Sequence, residues 1–116
     1  MANLFLKKGL ITALEGRTSQ DRQTYKADPK KTTVPHVPLY IIVNQGTASS
    51  AEIVAAALKE NKRASLIGDR TFGKGSVQTI LQVPPGYTAI QLTTGLYKTP
   101  AGHLLDKKGV TTDIAL

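Results

Sequence analysis

The stretch that most constrains the fold is an apolar strand that runs through a short turn directly into a helix. Residues 38–43 (PLYIIV) form a continuous apolar run, which is typical of a strand covered on both faces. Residues 51–60 (AEIVAAALKE) are rich in helix-forming residues. After Gly46 in the turn, Ser49 falls at the helix N-terminus, where unpaired N–H groups favour negative charge. Ser49 is therefore either a cap, with Glu52 completing an S-x-x-E capping box, or a nucleophile.

Length and composition indicate one domain with a real core, since 116 residues are 41% apolar. There is no Cys, which excludes disulfides and zinc–thiolate sites. No apolar run approaches the roughly 18 residues of a membrane-spanning helix. The net charge of +7 is spread along the chain, and the aromatic residues are only four Tyr and two Phe. This pattern favours a solvated basic surface over a nucleic-acid partner.

Short apolar segments separated by turn residues predict about five strands around the helix. We interpret residues 3–9 as the end of a helix, residues 16–36 as an exposed polar excursion and residues 109–114 as a terminal tail. The result is an α/β (mixed α+β) domain with a small mixed sheet and one main helix after the turn at Ser49. The predicted strands are 10–15, 38–43, 63–68, 79–83 and 87–97, the last two joined by Pro84–Gly86.

Residues 68–75 (GDRTFGKG) begin like a phosphate-binding loop, but Gly75 stands where a Ser or Thr must bind magnesium. The following residues also lack the helix whose N-terminus would hold phosphates. Neither His36 nor His103 has a neighbouring ligand at metal-site spacing. The sequence therefore predicts no nucleotide, metal or cofactor, while a Ser-His-Asp triad stays open because triads assemble in space.

Lys74, which lies between two glycines, could act as a general base instead of binding phosphate. Small neighbours can let its amine pack into a dry place, where burial lowers the pKa of a lysine. A neutral amine can then act as general base toward a serine hydroxyl. The helix after Ser49 runs away from the corner and the strand at 63–68 runs back. This path makes a Ser49–Lys74 pair geometrically reasonable.

Four stretches then resemble the C-terminal processing (tail-specific) peptidases, a family of Ser-Lys serine peptidases. Residues 46–54 (GTASSAEIV) are similar to the nucleophile stretch of that family, and residues 71–78 (TFGKGSVQ) to its lysine stretch, at the family's spacing. Residues 92–102 resemble the following strand and turn, and residues 109–114 the closing segment. The resemblance covers about residues 3–114.

The resemblance implies a crotonase/Clp-protease-like ββα core that hydrolyses peptide bonds through an acyl-enzyme. It assigns Ser49 as nucleophile, Lys74 as general base, Gln78 as the group that orients Lys74, and the backbone N–H of Ser50 as one oxyanion donor. Residues four apart in a straight strand are too far apart to touch. If Gln78 orients Lys74, we therefore expect a turn or bulge at Gly75–Ser76.

Family members also carry a PDZ domain and an upstream Asn-Pro-Gly-Gly stretch that supplies the second oxyanion donor, and neither is present here. Residues 1–116 are thus expected to be a single partial catalytic domain with little or no activity alone. The implied partner is the C-terminal tail of a protein or peptide substrate, and edges exposed by truncation favour self-association. The family mostly works outside the cytoplasm, in the periplasm, cell envelope or thylakoid lumen. The alternative is a non-catalytic binding domain of the same fold.

Overall fold

In the computed structural model, residues 1–116 are described apart from the side chain of Ser19, and the described part contains one α-helix, seven strands and three 3-10 turns. No helix in this part is long and apolar enough to cross a membrane. In chain order the elements are a 3-10 turn at Ala2–Leu4, β1 at Leu10–Glu15, a 3-10 turn at Ser19–Asp21, β2 at Gln23–Lys26, a 3-10 turn at Pro29–Lys31, β3 at Leu39–Val43, α1 at Ser50–Glu60, β4 at Ala64–Gly68, β5 at Ser76–Val83, β6 at Thr88–Lys98 and β7 at Ile114–Ala115.

Helix α1 lies at the centre of the packing because its small side chains let other elements approach closely. Ala55 and Ala56 are buried in one cluster with residues of β3 and β4, and Ala57 and Leu58 in a second cluster with the N-terminal residues. The residue that caps the C-terminus of the helix is Asn61. Its side-chain amide donates to the carbonyl oxygens of Ala57 and of Leu10, the first residue of β1, each at 2.8 Å. The helix end is thereby fixed to the neighbouring sheet.

A three-stranded parallel sheet, in the order β3-β4-β7, fixes where the functional segments begin. Strands β3 and β4 pair in register to their last residues, Val43 opposite Gly68. The N–H of Asp69, just beyond β4, donates to the Val43 carbonyl at 3.0 Å. Because parallel strands end at the same edge of a sheet, the segments after β3 and after β4 start side by side.

The second sheet is antiparallel, in the order β2-β1-β6-β5. The β5–β6 pairing shifts register by one residue between Val77 and Gln78. Lys98 at the end of β6 forms an ion pair with Glu15 at the end of β1, at 2.8 Å. This hydrogen bond from Lys98 holds the pKa of the Glu15 carboxyl below its usual range.

The mixed α/β class, the single main helix and the five expected strands are confirmed, although the strands divide between two sheets. Three regions differ from the sequence-based expectation. The excursion at 16–36 contains the strand β2, whose four residues are all exposed and carry no apolar alternation. The terminal tail ends in the strand β7, which pairs with β4. Just before β7, the Asp113 carboxylate accepts a hydrogen bond from the N–H of Leu66 at 2.7 Å. Residues 3–9 contain no end of an α-helix, only the last part of a 3-10 turn.

The expectation that β3 is covered on both faces is wrong for this chain. Tyr40 and Ile42 point to one face of the strand and are 64% and 79% exposed. The opposite face is covered, and Ile41 packs against the core beneath α1. Strand β3 is an edge strand of its sheet. Its face with Tyr40 and Ile42 is left largely uncovered by the described residues.

Candidate active site

The segment between β3 and α1, residues 44–49, is called here the nucleophile corner. It reverses the chain through local hydrogen bonds. The Asn44 side chain accepts from the N–H of Gly46 at 2.8 Å, and the Thr47 hydroxyl accepts from the N–H of Asn44 at 3.1 Å. The N–H of Thr47 donates to the Asn44 carbonyl at 2.9 Å. The turn delivers Ser49 to the start of α1 with its side chain exposed.

Ser49 does not have the backbone of an ordinary helix cap. An N-cap residue is normally extended, whereas Ser49 has φ 57° and ψ −120°. A residue with a Cβ is strained in this region by about 1–3 kcal/mol, and such strain is concentrated at functional sites. A strained serine on a sharp strand-to-helix turn is the arrangement that projects a nucleophile. The capping box is represented by the Glu52 carboxylate, which accepts from the N–H of Ser49 at 2.9 Å.

Glu52 connects this corner to the segment after β4, residues 69–75, called here the lysine loop. Its side chain has 0% exposure, although it lies in the first turn of α1. One carboxylate oxygen, Oε2, accepts from the backbone N–H groups of Ser49 and Lys74, at 2.9 and 2.8 Å. The other, Oε1, accepts from the Thr71 hydroxyl at 2.5 Å and from the N–H of Gly73 at 2.6 Å. The two segments that the sequence analysis paired are thus joined at a single buried carboxylate.

From the sequence, Glu52 was expected only in the capping box, and its contacts with the lysine loop were not predicted. The S-x-x-E spacing places the carboxylate at the Ser49 N–H but contains no information about residues 71–74. A signal was present in the Gly-Lys-Gly pattern, because glycines often mark the close approach of another group to the backbone. The residues around Lys74 do not indicate which group approaches the backbone there.

The lysine loop is held by three other parts of the chain. The N–H of Phe72 donates to the Thr47 carbonyl of the nucleophile corner at 2.9 Å. The Gly73 carbonyl accepts from Lys107 at 2.7 Å, and the Gly75 carbonyl accepts from Tyr97 in β6, also at 2.7 Å. These bonds fix the loop backbone, and with it the position from which the Lys74 side chain projects.

The glycines flanking Lys74 allow a special backbone conformation and close backbone packing, and they do not bury the lysine amine. Gly73 has φ 94°, a region that residues with a Cβ rarely adopt. A Cβ at Gly75 would lie 2.5 Å from the backbone nitrogen of Asp106 and 2.7 Å from Cβ of Leu105. Both glycines are buried, but Lys74 itself is exposed. The expected dry surroundings of the amine are therefore not formed by the described residues, because the small neighbours bring in other backbone instead.

The remaining assigned groups are Gln78 and the backbone N–H of Ser50. Gln78 is exposed in β5, and its side-chain amide donates to the Thr93 hydroxyl at 2.7 Å. Residues 71–75 precede the strand, and the register shift falls between Val77 and Gln78, beyond the expected position at 75–76. The orienting role of Gln78 stays a prediction. Ser50 is the first residue of α1, so its N–H has no partner within the helix.

The two histidines lie outside this arrangement. His103 is in the turn after β6, where its backbone N–H donates to the Thr99 hydroxyl at 3.1 Å. His36 lies in the segment before β3. Within the described residues, no hydrogen bond joins either imidazole to Ser49. The N–H of Ser49 instead bonds to the Glu52 carboxylate, which also binds the lysine loop.

Several known proteins resemble this chain over most or all of its length. The sequence profile of peptidase family S41 matches residues 1–116. The carboxy-terminal-processing protease of Bartonella bacilliformis is 42% identical over 100% of this chain and 26% of its own length. The chloroplastic carboxyl-terminal-processing peptidase 2 of Arabidopsis thaliana is 40% identical over 97% of this chain and 22% of its own length.

A solved structure, that of a photosystem II D1 C-terminal processing protease, superposes with a TM-score of 0.92 at 37% identity. The match covers 99% of this chain and 29% of that protein. The chain thus spans about a quarter of the length of the relatives it matches.

Proposed function

Because the chain belongs to peptidase family S41, we propose that it carries the nucleophile and general base of a serine peptidase that cleaves protein substrates near their C-terminus. Ser49 is the nucleophile, Lys74 the base, Gln78 a group that orients the base, and the N–H of Ser50 an oxyanion donor. The observation that carries the proposal is the Glu52 carboxylate, which binds the backbone of Ser49 and of Lys74 through the same oxygen.

The proposed chemistry follows from these positions. The Lys74 amine accepts the proton of the Ser49 hydroxyl as the oxygen attacks the scissile carbonyl carbon. Negative charge develops on the carbonyl oxygen, and the Ser50 N–H at the helix N-terminus stabilises it. The protonated amine then returns the proton to the leaving nitrogen, which leaves an acyl-enzyme that water hydrolyses. The strained backbone at Ser49 supports this role, since such strain is concentrated at functional sites.

The chain spans only about a quarter of the length of the relatives it matches. We expect residues 1–116 to act as part of a larger catalytic unit and to turn over substrate slowly or not at all alone. The substrate is the C-terminal tail of a protein. An extracytoplasmic site of action, in the periplasm, cell envelope or thylakoid lumen, is part of the proposal. It is supported by relatives whose names place them in chloroplasts.

The test uses a reactive peptide aryl ester, which can acylate a serine without a complete oxyanion site. We expect stoichiometric acylation of Ser49 in the purified chain, read by intact-mass and peptide mass spectrometry. Ser49→Ala should abolish it, and Lys74→Met should slow it at least tenfold, because general-base assistance contributes on the order of a hundredfold or more. Acylation at another residue, or none, would contradict the proposal.

Two controls share the chemistry of these variants. Thr33→Ala removes an exposed hydroxyl in the segment before β3, and Lys30→Met removes an exposed amine in a 3-10 turn. Both should acylate at the unmodified rate. Turnover of an unfolded protein by the chain, abolished by Ser49→Ala, would support the catalytic roles and overturn the expected inactivity.

A second candidate, a non-catalytic binding domain of the same fold, is favoured by one observation. Ser49, Lys74 and Gln78 are all exposed, so the described residues do not bury the amine. This candidate predicts peptide binding that is equal in the unmodified chain and in Ser49→Ala, with no acylation of Ser49 by the ester.

A further inference from the structure

Thr71 is a buried polar residue within an otherwise exposed stretch of the lysine loop. It is 4% exposed, while its neighbours Arg70 and Phe72 are both exposed. Burying a hydroxyl is unfavourable unless its hydrogen bonds are made. The side chain is therefore held inward by specific partners, which lie on two different parts of the chain.

The direction of these hydrogen bonds is fixed by chemistry. The Thr71 Oγ1 lies 2.7 Å from the backbone nitrogen of Val110, and an amide N–H can only donate. The hydroxyl must accept there, so its single proton is directed to Oε1 of Glu52, at 2.5 Å. The backbone N–H of Thr71 also donates to the Val110 carbonyl at 3.1 Å. Thr71 thus pairs with Val110 through both main chain and side chain.

Residues 109–115, called here the closing segment, meet Thr71 at close range. Gly109 has φ 65°, and a Cβ there would overlap the Thr71 carbonyl oxygen and lie 2.9 Å from its hydroxyl. Val110 is buried in the cluster beneath α1, and the segment ends in β7, which pairs with β4. The closing segment is therefore anchored in the parallel sheet on one side and in the lysine loop on the other.

We infer that Thr71 is a positioning residue that couples the closing segment to the Ser49–Lys74 site through Glu52. The hydroxyl and the Gly73 N–H hold Oε1, which leaves Oε2 directed at the N–H groups of Ser49 and Lys74. Without the hydroxyl, the carboxylate loses one of four donors and the Val110 N–H loses a buried acceptor. The Ser49 and Lys74 backbones then lose their fixed relative position. This inference rests on the proposed function only for its effect on acylation.

The test is amide hydrogen exchange, resolved by NMR, in the full chain. In Thr71→Val, which keeps the shape but not the hydroxyl, we expect the Ser49, Gly73 and Lys74 amides to exchange at least tenfold faster. Thr71→Ser, which restores the hydroxyl, should bring them within threefold of the unmodified chain. The rate of Ser49 acylation by the aryl ester should fall at least tenfold in Thr71→Val and recover in Thr71→Ser.

A matched control is Thr12→Val, because Thr12 is also a buried threonine, 5% exposed, with a hydrogen bond to the Lys98 carbonyl at 2.8 Å. It should leave exchange at Gly73 and Lys74 unchanged relative to other amides. Equal acceleration in Thr12→Val, or none in Thr71→Val, would overturn the inference.

If Thr71→Val does not fold, Thr71→Ser and the unmodified chain decide. Thr71→Ser must keep the three amides protected, and the unmodified chain must show a slowly exchanging Thr71 hydroxyl proton close to the Val110 amide proton. Failure of either result overturns the coupling. Failure of the proposed function is distinct, since it would abolish acylation in the unmodified chain and leave the exchange pattern intact.

Discussion

The nucleophile corner and the lysine loop obtain their shapes in opposite ways. Hydrogen bonds within the corner join residues two or three positions apart, and its special feature is the backbone of Ser49 alone. The side-chain hydrogen bonds that hold the lysine loop reach partners 19 to 39 positions away. The shape of the corner is therefore determined by its own local sequence. The position of the loop instead depends on contacts with parts of the domain that are distant in sequence.

The two halves of the candidate site should therefore respond differently to substitutions elsewhere in the chain. A local turn survives distant substitutions, but a loop held from outside responds to changes in α1, in β6 and in the closing segment. Glu52 is where the two halves meet, since it is the one side chain described here that bonds to both. Changes at Glu52 should thus have the largest effect.

The first prediction concerns Glu52→Gln. An amide offers one accepting oxygen in place of two, so two of the four donors around Glu52 lose their acceptor in a site with 0% exposure. Leaving buried donors unpaired costs about 1–3 kcal/mol each, so we expect a loss of about 3–5 kcal/mol in the free energy of unfolding. Urea denaturation followed by circular dichroism measures it.

The matched control is Glu60→Gln, at the other end of the same helix. Glu60 accepts one hydrogen bond, from the N–H of Ala101 at 2.7 Å, in an exposed setting. An amide oxygen can replace that acceptor, so the free energy of unfolding should change by less than about 0.5 kcal/mol. Equal losses of unfolding free energy in the two variants would show that the hydrogen bonds of Glu52 to the corner and the loop do not stabilise the fold.

The second prediction compares a glycine of each region. In Gly75→Ala the new Cβ meets the Asp106 backbone at 2.5 Å, and overpacking of this kind costs about 1–3 kcal/mol. In Gly46→Ala the nearest atom is the flexible side-chain oxygen of Asn44, at 3.2 Å. We expect thermal unfolding to show a clear loss of stability for Gly75→Ala and little change for Gly46→Ala. The reverse order would contradict the external support of the loop.

The same contrast explains how much could be predicted from the sequence. The strand, turn and helix around Ser49 were predictable because apolar run, turn residues and helix formers are adjacent in the chain. The β5–β6 hairpin was predictable from Pro84–Gly86 and the alternating residues after it. The pairing of Ser49 with Lys74 followed only from the resemblance and from the returning path of β4.

The contacts of Glu52 with the lysine loop were beyond prediction because they depend on three-dimensional packing between residues far apart. The two residues of β7 carry too little pattern to distinguish a strand from a tail, and only pairing with β4 makes them one. The exposed face of Tyr40 and Ile42 was misread for a related reason. An apolar run indicates that a strand is suited to burial, but it does not show whether other residues of the same chain cover both of its faces.

The last prediction, with the smallest effect, tests the strain at Ser49 by a reversal of sign. At Ser49, with φ 57°, glycine relieves a conformation that alanine retains, so Ser49→Gly should be more stable than Ser49→Ala by about 1 kcal/mol. At Ser50, the first residue of α1, glycine should instead be slightly less stable than alanine, because glycine loses more backbone freedom when the helix forms. Paired urea denaturation of the four variants measures both differences. If glycine were the worse residue at both positions, Ser49 would be an unstrained cap, and the corner would lose its strongest structural resemblance to a nucleophile turn.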